Sequence, residues 1–154
     1  MSILISAFVL GVVCGLRVMV GFAAVSWAAY LQQVPLEGTW LSFLGFRFTP
    51  YITSLLAVGE IINDKLPKTP SRLVPPQFGA RVVMGALTGT AIGLSHGHLA
   101  LGAIAGVVGS VVGTLGGSKA RAFAAKLFGR DLPAALLEDG LAIVLAVVAI
   151  VMLR

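Results

Sequence analysis

Residues 85–117 read GALTGTAIGLSHGHLALGAIAGVVGSVVGTLGG, and this stretch decides the fold. Its glycines recur at spacings of three or four, which place them on one face of a helix. Glycine at small-xxx-small spacing lets two membrane helices pack backbone to backbone. The stretch therefore predicts a tight helical hairpin with spans at 78–94 and 99–115. Its first helix has packing positions at Gly85, Gly89 and Gly93.

The composition of the whole chain extends this interpretation. Of its 154 residues, 58% are hydrophobic and only 11% are charged, and the mean hydropathy is +1.00. A helix needs about 20 apolar residues to cross the hydrocarbon layer, so the chain has room for roughly five spans. We predict an all-α membrane protein with about five short glycine-rich transmembrane helices in a single domain, residues 1–154.

The remaining apolar segments give the other spans. The first, 3–31, is interrupted by Gly11, Gly15 and Arg17, so we expect a broken helix. Further spans are expected at 49–66 and 133–153, with a basic amphipathic segment at 118–130. The proline-rich loop around Pro70 separates the second and third spans. No basic residue precedes Arg17, so the start lacks the charged region of a signal peptide.

Basic residues cluster in the loops on one side of the predicted bundle. By the positive-inside rule this side is cytoplasmic. The N-terminus is then cytoplasmic and the C-terminus outside, provided that the first segment crosses once. If that segment is a two-helix hairpin, the N-terminus moves outside. The clustered residues are Lys65, Lys68, Arg72, Arg81, Lys119, Arg121, Lys126 and Arg130.

Two short segments resemble each other. Gly11-Val-Val-Cys-Gly15-Leu-Arg17 and Gly113-Thr-Leu-Gly-Gly117-Ser-Lys119 share two glycines and a basic residue at one spacing. In a five-span bundle they would belong to helices of opposite direction. This predicts an inverted repeat of spans 1–2 and 4–5 around span 3, with glycines that break the helices near the basic residues. Chance similarity of glycine-rich segments is the alternative.

Charged side chains inside spans are costly and are therefore candidate functional residues. Two interpretations are open. The charges bind a small solute or carry protons, or they form a static network of ion pairs that fixes helix register. The candidates are Arg17, Glu60, Asp64, Lys65, Arg81, Lys119, Arg121, Glu138 and Asp139.

Other classes of site find little support. His96 and His98 lie two apart in a predicted turn with no third ligand nearby, so we expect no metal. The basic residues form no soluble basic face, so we expect no nucleic-acid partner. No catalytic residue and no cofactor are predicted.

Several motifs resemble a bacterial membrane family catalogued as domain of unknown function 4126. They are Gly15-Leu-Arg17, the segment from Gly59-Glu60 through Asp64-Lys65-Leu-Pro67 to Arg72, Arg81, Gly116-Gly117, and Leu137-Glu138-Asp139. The resemblance covers nearly the whole chain and implies a multi-pass protein of the bacterial plasma (inner) membrane. Prolines that members often carry after the Gly-x-Arg element are replaced here by residues 18–21. The resemblance implies polar positions but no reaction.

These observations predict a small transporter or channel for a small anionic or polar solute, coupled to protons through buried carboxylates. The expected partners are membrane lipids, the solute and further copies of the chain. An accessory subunit of a larger membrane complex is the alternative. A third hypothesis is an enzyme that acts on lipid phosphates with a divalent metal held by Glu60 and Asp64.

Overall fold

The computed structural model describes residues 2–153, and this part of the chain is all-helical, with no strand. A short 3₁₀ helix, Ser42–Gly45, lies between the second and third α-helices. The prediction of an all-α fold is confirmed. The α-helices are α1 Ser2–Leu16, α2 Val18–Tyr30, α3 Thr49–Asn63, α4 Pro75–Leu94, α5 Leu99–Phe128 and α6 Asp131–Val151.

Proline and glycine set several of these helix ends. Pro75 and Pro76 occupy the first positions of α4, where a missing N–H costs nothing. The predicted span at 78–94 therefore begins three residues earlier. Gly129 ends α5 in the left-handed conformation, with φ 68°, which glycine adopts without strain. The chain can then reverse into α6 within two residues.

The glycine stripes pack α4 against α5, as the sequence predicts. A Cβ built on Gly89 would lie 2.9 Å from the Cα of Gly106 and closer still to the carbonyl oxygen of Gly102. A Cβ on Gly85 would lie 2.8 Å from the carbonyl oxygen of Gly106. The two helices run antiparallel, because Gly93 faces Gly102 while Gly85 faces Gly106. No side chain larger than hydrogen fits between the two backbones here.

On α5, small and polar residues lie inside the bundle, and large apolar ones lie outside. On α5 the buried side chains include Ser110 and Thr114, whereas Ile104 and Val108 are exposed. Two helices, α5 and α6, are long and apolar enough to cross a membrane by length and composition, and α1 and α2 are shorter apolar helices. The five spans that the sequence predicts are therefore not confirmed, since two helices meet this criterion.

The first apolar segment folds back on itself. Arg17 has extended backbone angles, φ −141° and ψ 105°, and separates α1 from α2. A Cβ on Gly21 would lie 3.2 Å from the nitrogen of Cys14 and 3.3 Å from the carbonyl oxygen of Leu10. In one continuing helix, Leu10 and Gly21 would be about 16 Å apart at a rise of 1.5 Å per residue. The structure therefore adopts the alternative that the sequence left open, a two-helix hairpin.

This reversal corrects the predicted direction of the repeat. Gly11 faces Gly106, and Leu16 faces Gly117, so α1 runs parallel to α5. The inverted repeat required these helices to be antiparallel, and that prediction is wrong. The physical reason is the turn at Arg17, because one added reversal of the chain changes the direction of α1 relative to every later helix.

A second correction concerns the region after residue 113. The sequence predicts a helix break near Lys119 and a separate segment at 118–130, but α5 continues without interruption to Phe128. Gly113 and Gly117 lie inside this helix and contact α1, through Val12 and Leu16. Both glycines are packing positions and do not break the helix.

Candidate functional site

The break between α1 and α2 places Arg17 at the centre of a group of charges. Its side chain is fully buried. Nε donates a hydrogen bond to Oδ1 of Asp139 over 2.6 Å, and Nη2 donates one to Oδ2 of Asp64 over 2.8 Å. Asp64 directly follows α3 and Asp139 lies on α6. One guanidinium thus connects three parts of the chain that are distant in sequence.

Further ion pairs surround this centre. Arg72 contacts both carboxylate oxygens of Glu138, over 2.5 and 3.0 Å. Lys65 donates to Oδ2 of Asp139 over 2.5 Å. Five basic and five acidic side chains meet here, and we call them the helix-break cluster. Its members are Arg17, Glu60, Asp64, Lys65, Arg72, Arg81, Arg121, Asp131, Glu138 and Asp139.

Arg121 joins the inside of the cluster to its surface. It donates to Asp64, and it forms two bonds to Asp131, over 3.0 and 2.6 Å. Two parallel bonds between a guanidinium and a carboxylate form the strong, oriented type of ion pair. The side chain of Asp131 is 62% exposed, whereas that of Asp64 is 16% exposed. Arg121 therefore spans from a half-buried partner to an exposed one.

Two members of the cluster satisfy the backbone at the helix break. Glu60 accepts hydrogen bonds from the backbone nitrogens of Val18 and Met19, over 2.9 and 2.7 Å. Arg81 donates from Nη1 to the carbonyl oxygens of Gly15 and Leu16, over 2.8 and 3.0 Å. A carboxylate thus lies at the start of α2 and a guanidinium at the end of α1. Both charges oppose the partial charge of the helix end that they contact.

Two polar cavities adjoin the cluster. The outer cavity, about 370 Å³, lies between the loop after α3 and the start of α6. The inner chamber, about 60 Å³, lies next to it, at Glu60 and Arg81. Both are lined in part by Asp64 and Arg72, which places them side by side. A small polar molecule in either cavity would touch charged groups of the cluster.

The structure brings most of the predicted site residues together. Glu60 and Asp64, one helical turn apart, have separate partners, backbone N–H groups for Glu60 and two arginines for Asp64. Lys119 is the exception: it is exposed on α5 and forms no ion pair within residues 2–153. The predicted residues in the cluster are Arg17, Glu60, Asp64, Lys65, Arg81, Arg121, Glu138 and Asp139.

Sequence reasoning missed two members of the cluster. Arg72 lies in the proline-rich loop, where a basic residue is typically solvated, yet it is only 8% exposed. Asp131 precedes the predicted last span. Asp131 could have been found from its position, because acidic residues are common at helix starts and this one directly follows Arg130. For Arg72 the local sequence carries no such signal, because its partner Glu138 is 66 residues away.

Among the residues that the structure describes, no group of three or more histidine, cysteine, aspartate or glutamate side chains is placed to hold a metal ion. His96 and His98 lie at the turn between α4 and α5. In comparisons with known proteins, no family model, no curated protein and no solved structure matches this chain. The resemblance noted above stays a prediction.

Proposed function

We propose that this chain is a small multi-pass membrane transporter or channel for a small anionic or polar solute, and that the solute contacts the helix-break cluster. The observation that carries the proposal is the fully buried Arg17 at the break of a helix pair, next to polar cavities. Broken helices with ionisable residues at membrane depth form the binding sites of many transporters.

The distribution of side chains supports a membrane location. Large apolar residues cover the outside of α5 and α6, and most of the helix-break cluster lies inside, an arrangement that is unusual in a water-soluble protein. The helices α1 and α2, with 15 and 13 residues, are short of the roughly 20 residues of a full span. We propose that they form a re-entrant hairpin. Arg17, the non-helical residue of this hairpin, is buried, and the backbone groups beside it are bound by Glu60 and Arg81. Within the hydrocarbon layer, backbone polar groups need such partners.

The hairpin also changes the proposed orientation. The ends of α3 and α5 meet at the cluster, whereas the start of α1 and the end of α6 lie towards the turn between α4 and α5. The basic loops flank the cluster and are cytoplasmic by the positive-inside rule. Both termini then lie outside, in a bacterial plasma membrane if the family resemblance holds.

This orientation predicts a labelling pattern. Ser71 and Glu37 are exposed in loops on opposite sides, and the native Cys14 is fully buried and stays silent. In sealed membrane vesicles, a membrane-impermeant maleimide should label Ser71→Cys from the cytoplasmic side alone and Glu37→Cys from the other side alone. Labelling of both variants from one side would contradict the topology.

The ion pair of Arg121 and Asp131, which lines the outer cavity, suggests how a solute enters. Asp131 is the most exposed carboxylate of the cluster, and it holds Arg121 through two hydrogen bonds. An anionic group of a solute could replace it on Arg121, because the side chain of Asp131 is 62% exposed and can turn into solvent. Deeper pairs would then exchange in turn towards Arg17.

Flux in proteoliposomes tests the proposal. We expect uptake of at least one member of a panel of labelled small anions and polar solutes, and a loss of roughly tenfold or more in Arg17→Gln and Glu60→Gln, since each removes a charge-assisted contact. Lys126→Gln, on an exposed position of α5, is the control and should keep full flux. Unchanged flux after both neutralisations in a folded protein would end this mechanism.

The alternative function, an accessory subunit, is favoured by the neutrality of the cluster and by an apolar groove. This groove, about 360 Å³, runs along α1, α5 and α6 past Val12, Gly116 and Leu141. Gly85, Gly89 and Gly93 of α4 face α5 within the same chain, so a partner helix must use outer positions such as Gly116. Purification in mild detergent discriminates the two. A stoichiometric larger partner favours the subunit, and an active homo-oligomer favours the transporter.

A further inference from the structure

We propose that the inner chamber beside Arg81 binds a small monovalent inorganic anion of halide size. The inference rests on the proposed function, since it names the class of solute at the same cluster. The chamber has a volume of about 60 Å³. Its polar walls are formed by Glu60, Asn63, Asp64, Arg72, Gln77 and Arg81.

Three of the four charged groups in these walls already have strong partners. Asp64 is bound by Arg17 and Arg121. Arg72 is bound by both oxygens of Glu138. The Glu60 carboxylate accepts two backbone N–H groups at the start of α2, where the helix dipole favours an anion. These groups need no further ligand.

Arg81 differs from the other three. It contacts only neutral carbonyl oxygens, Gly15 O and Leu16 O, and no ion pair joins it to a carboxylate in the described part of the chain. The residue is 5% exposed, and its Nε has no hydrogen-bond partner there. An unsatisfied buried donor costs about 1–3 kcal/mol, and more when it is charged. An anion in the chamber would supply the counter-charge that Arg81 lacks.

The walls also limit the charge of the ligand. The chamber is small, with a volume of about 60 Å³, and it has room for a few water molecules or one halide ion. The chamber is open towards the exposed residues Asn63 and Gln77, so charge and not size selects the ligand. A divalent oxyanion would bring a second negative charge towards Glu60 and Asp64. The side-chain amides of Asn63 and Gln77 can donate the remaining hydrogen bonds to a monovalent ion.

An approach to the chamber is present. The outer cavity shares Asp64, Thr69, Pro70 and Arg72 with it, so an ion in the outer cavity lies next to the chamber. Arg72 and Arg121 in the outer cavity would attract the anion first. The ion then moves from exchangeable surface pairs to Arg81, a guanidinium of the cluster that has no carboxylate partner among the described residues.

Chloride nuclear magnetic resonance line broadening tests this site in the purified full-length protein. At constant ionic strength, we expect saturable broadening that bromide displaces and sulfate does not. Arg81→Gln should weaken chloride binding roughly tenfold or more. Glu60→Gln removes a negative charge from the chamber and should tighten chloride binding severalfold. Misfolding cannot produce such a gain. Arg47→Gln, a matched change at an exposed position, is the control.

The outcomes separate the site from the proposed function. Broadening that does not saturate, or that is unchanged in both Arg81→Gln and Glu60→Gln, means that the chamber holds only water, and it overturns the inference. Displacement by sulfate as effective as by bromide overturns the assignment to a monovalent anion. Saturable chloride binding without flux of any solute leaves the site standing and removes the transport function. Flux of a solute without chloride binding removes the site and leaves the transport function standing.

Discussion

Replacing Arg17 with methionine is expected to lower the free energy of unfolding by about 3–5 kcal/mol, which is typical when one partner of a buried ion pair is removed. The change leaves Asp139 and Asp64 each without one of its cationic partners, at 2.6 and 2.8 Å in the native protein. Methionine fills a similar volume, so the loss is electrostatic and not a cavity effect. Unfolding in mixed micelles, followed by far-ultraviolet circular dichroism, measures it.

Two further variants locate the cause of this loss. Arg17→Lys keeps the charge but cannot direct two donors to Asp64 and Asp139 in one plane, so we expect an intermediate loss. The double variant Arg17→Met with Asp139→Asn restores the charge balance of the cluster and should recover part of the stability. A loss below about 1 kcal/mol in Arg17→Met would mean that the cluster is solvated, because exposed pairs contribute no more than this.

The second large effect is expected at the helix contact around Gly106. A Cβ at this position would lie 3.0 Å from the Cα of Gly89, and its closest contact would be the carbonyl oxygen of Gly85. Both are backbone atoms of α4, so they cannot move aside without separating the helices. Gly106→Ala should therefore destabilise the bundle by about 1–3 kcal/mol, the usual cost of overpacking.

Gly116 provides a matched control on the same helix. A Cβ at Gly116 meets no atom within 4 Å, and alanine has the higher helix propensity by about 1 kcal/mol. Gly116→Ala should thus be neutral or stabilising under the same unfolding conditions. Equal losses in Gly106→Ala and Gly116→Ala would show that close packing of α4 and α5 does not stabilise the fold.

Much of the candidate site could be predicted because burial of charge has local signs. Arg17, Glu60 and Glu138 stand in apolar segments, and a charge there needs a partner whichever helix supplies it. The partners themselves could not be predicted. Arg72 looks like a solvated loop residue, and Lys119 looks like the counterpart of Arg17. Only the packed helices show that Arg72 turns inward and Lys119 outward.

The sequence by itself determined the helical class and the close pairing of α4 with α5, because both follow from spacings of three or four residues within one helix. The tertiary structure alone decided that the chain reverses at Arg17. That reversal leaves backbone groups free on both sides of the break, and it is stabilised by Glu60 and Arg81, which come from other helices. Local sequence cannot specify a turn whose hydrogen-bond partners lie more than 40 residues away.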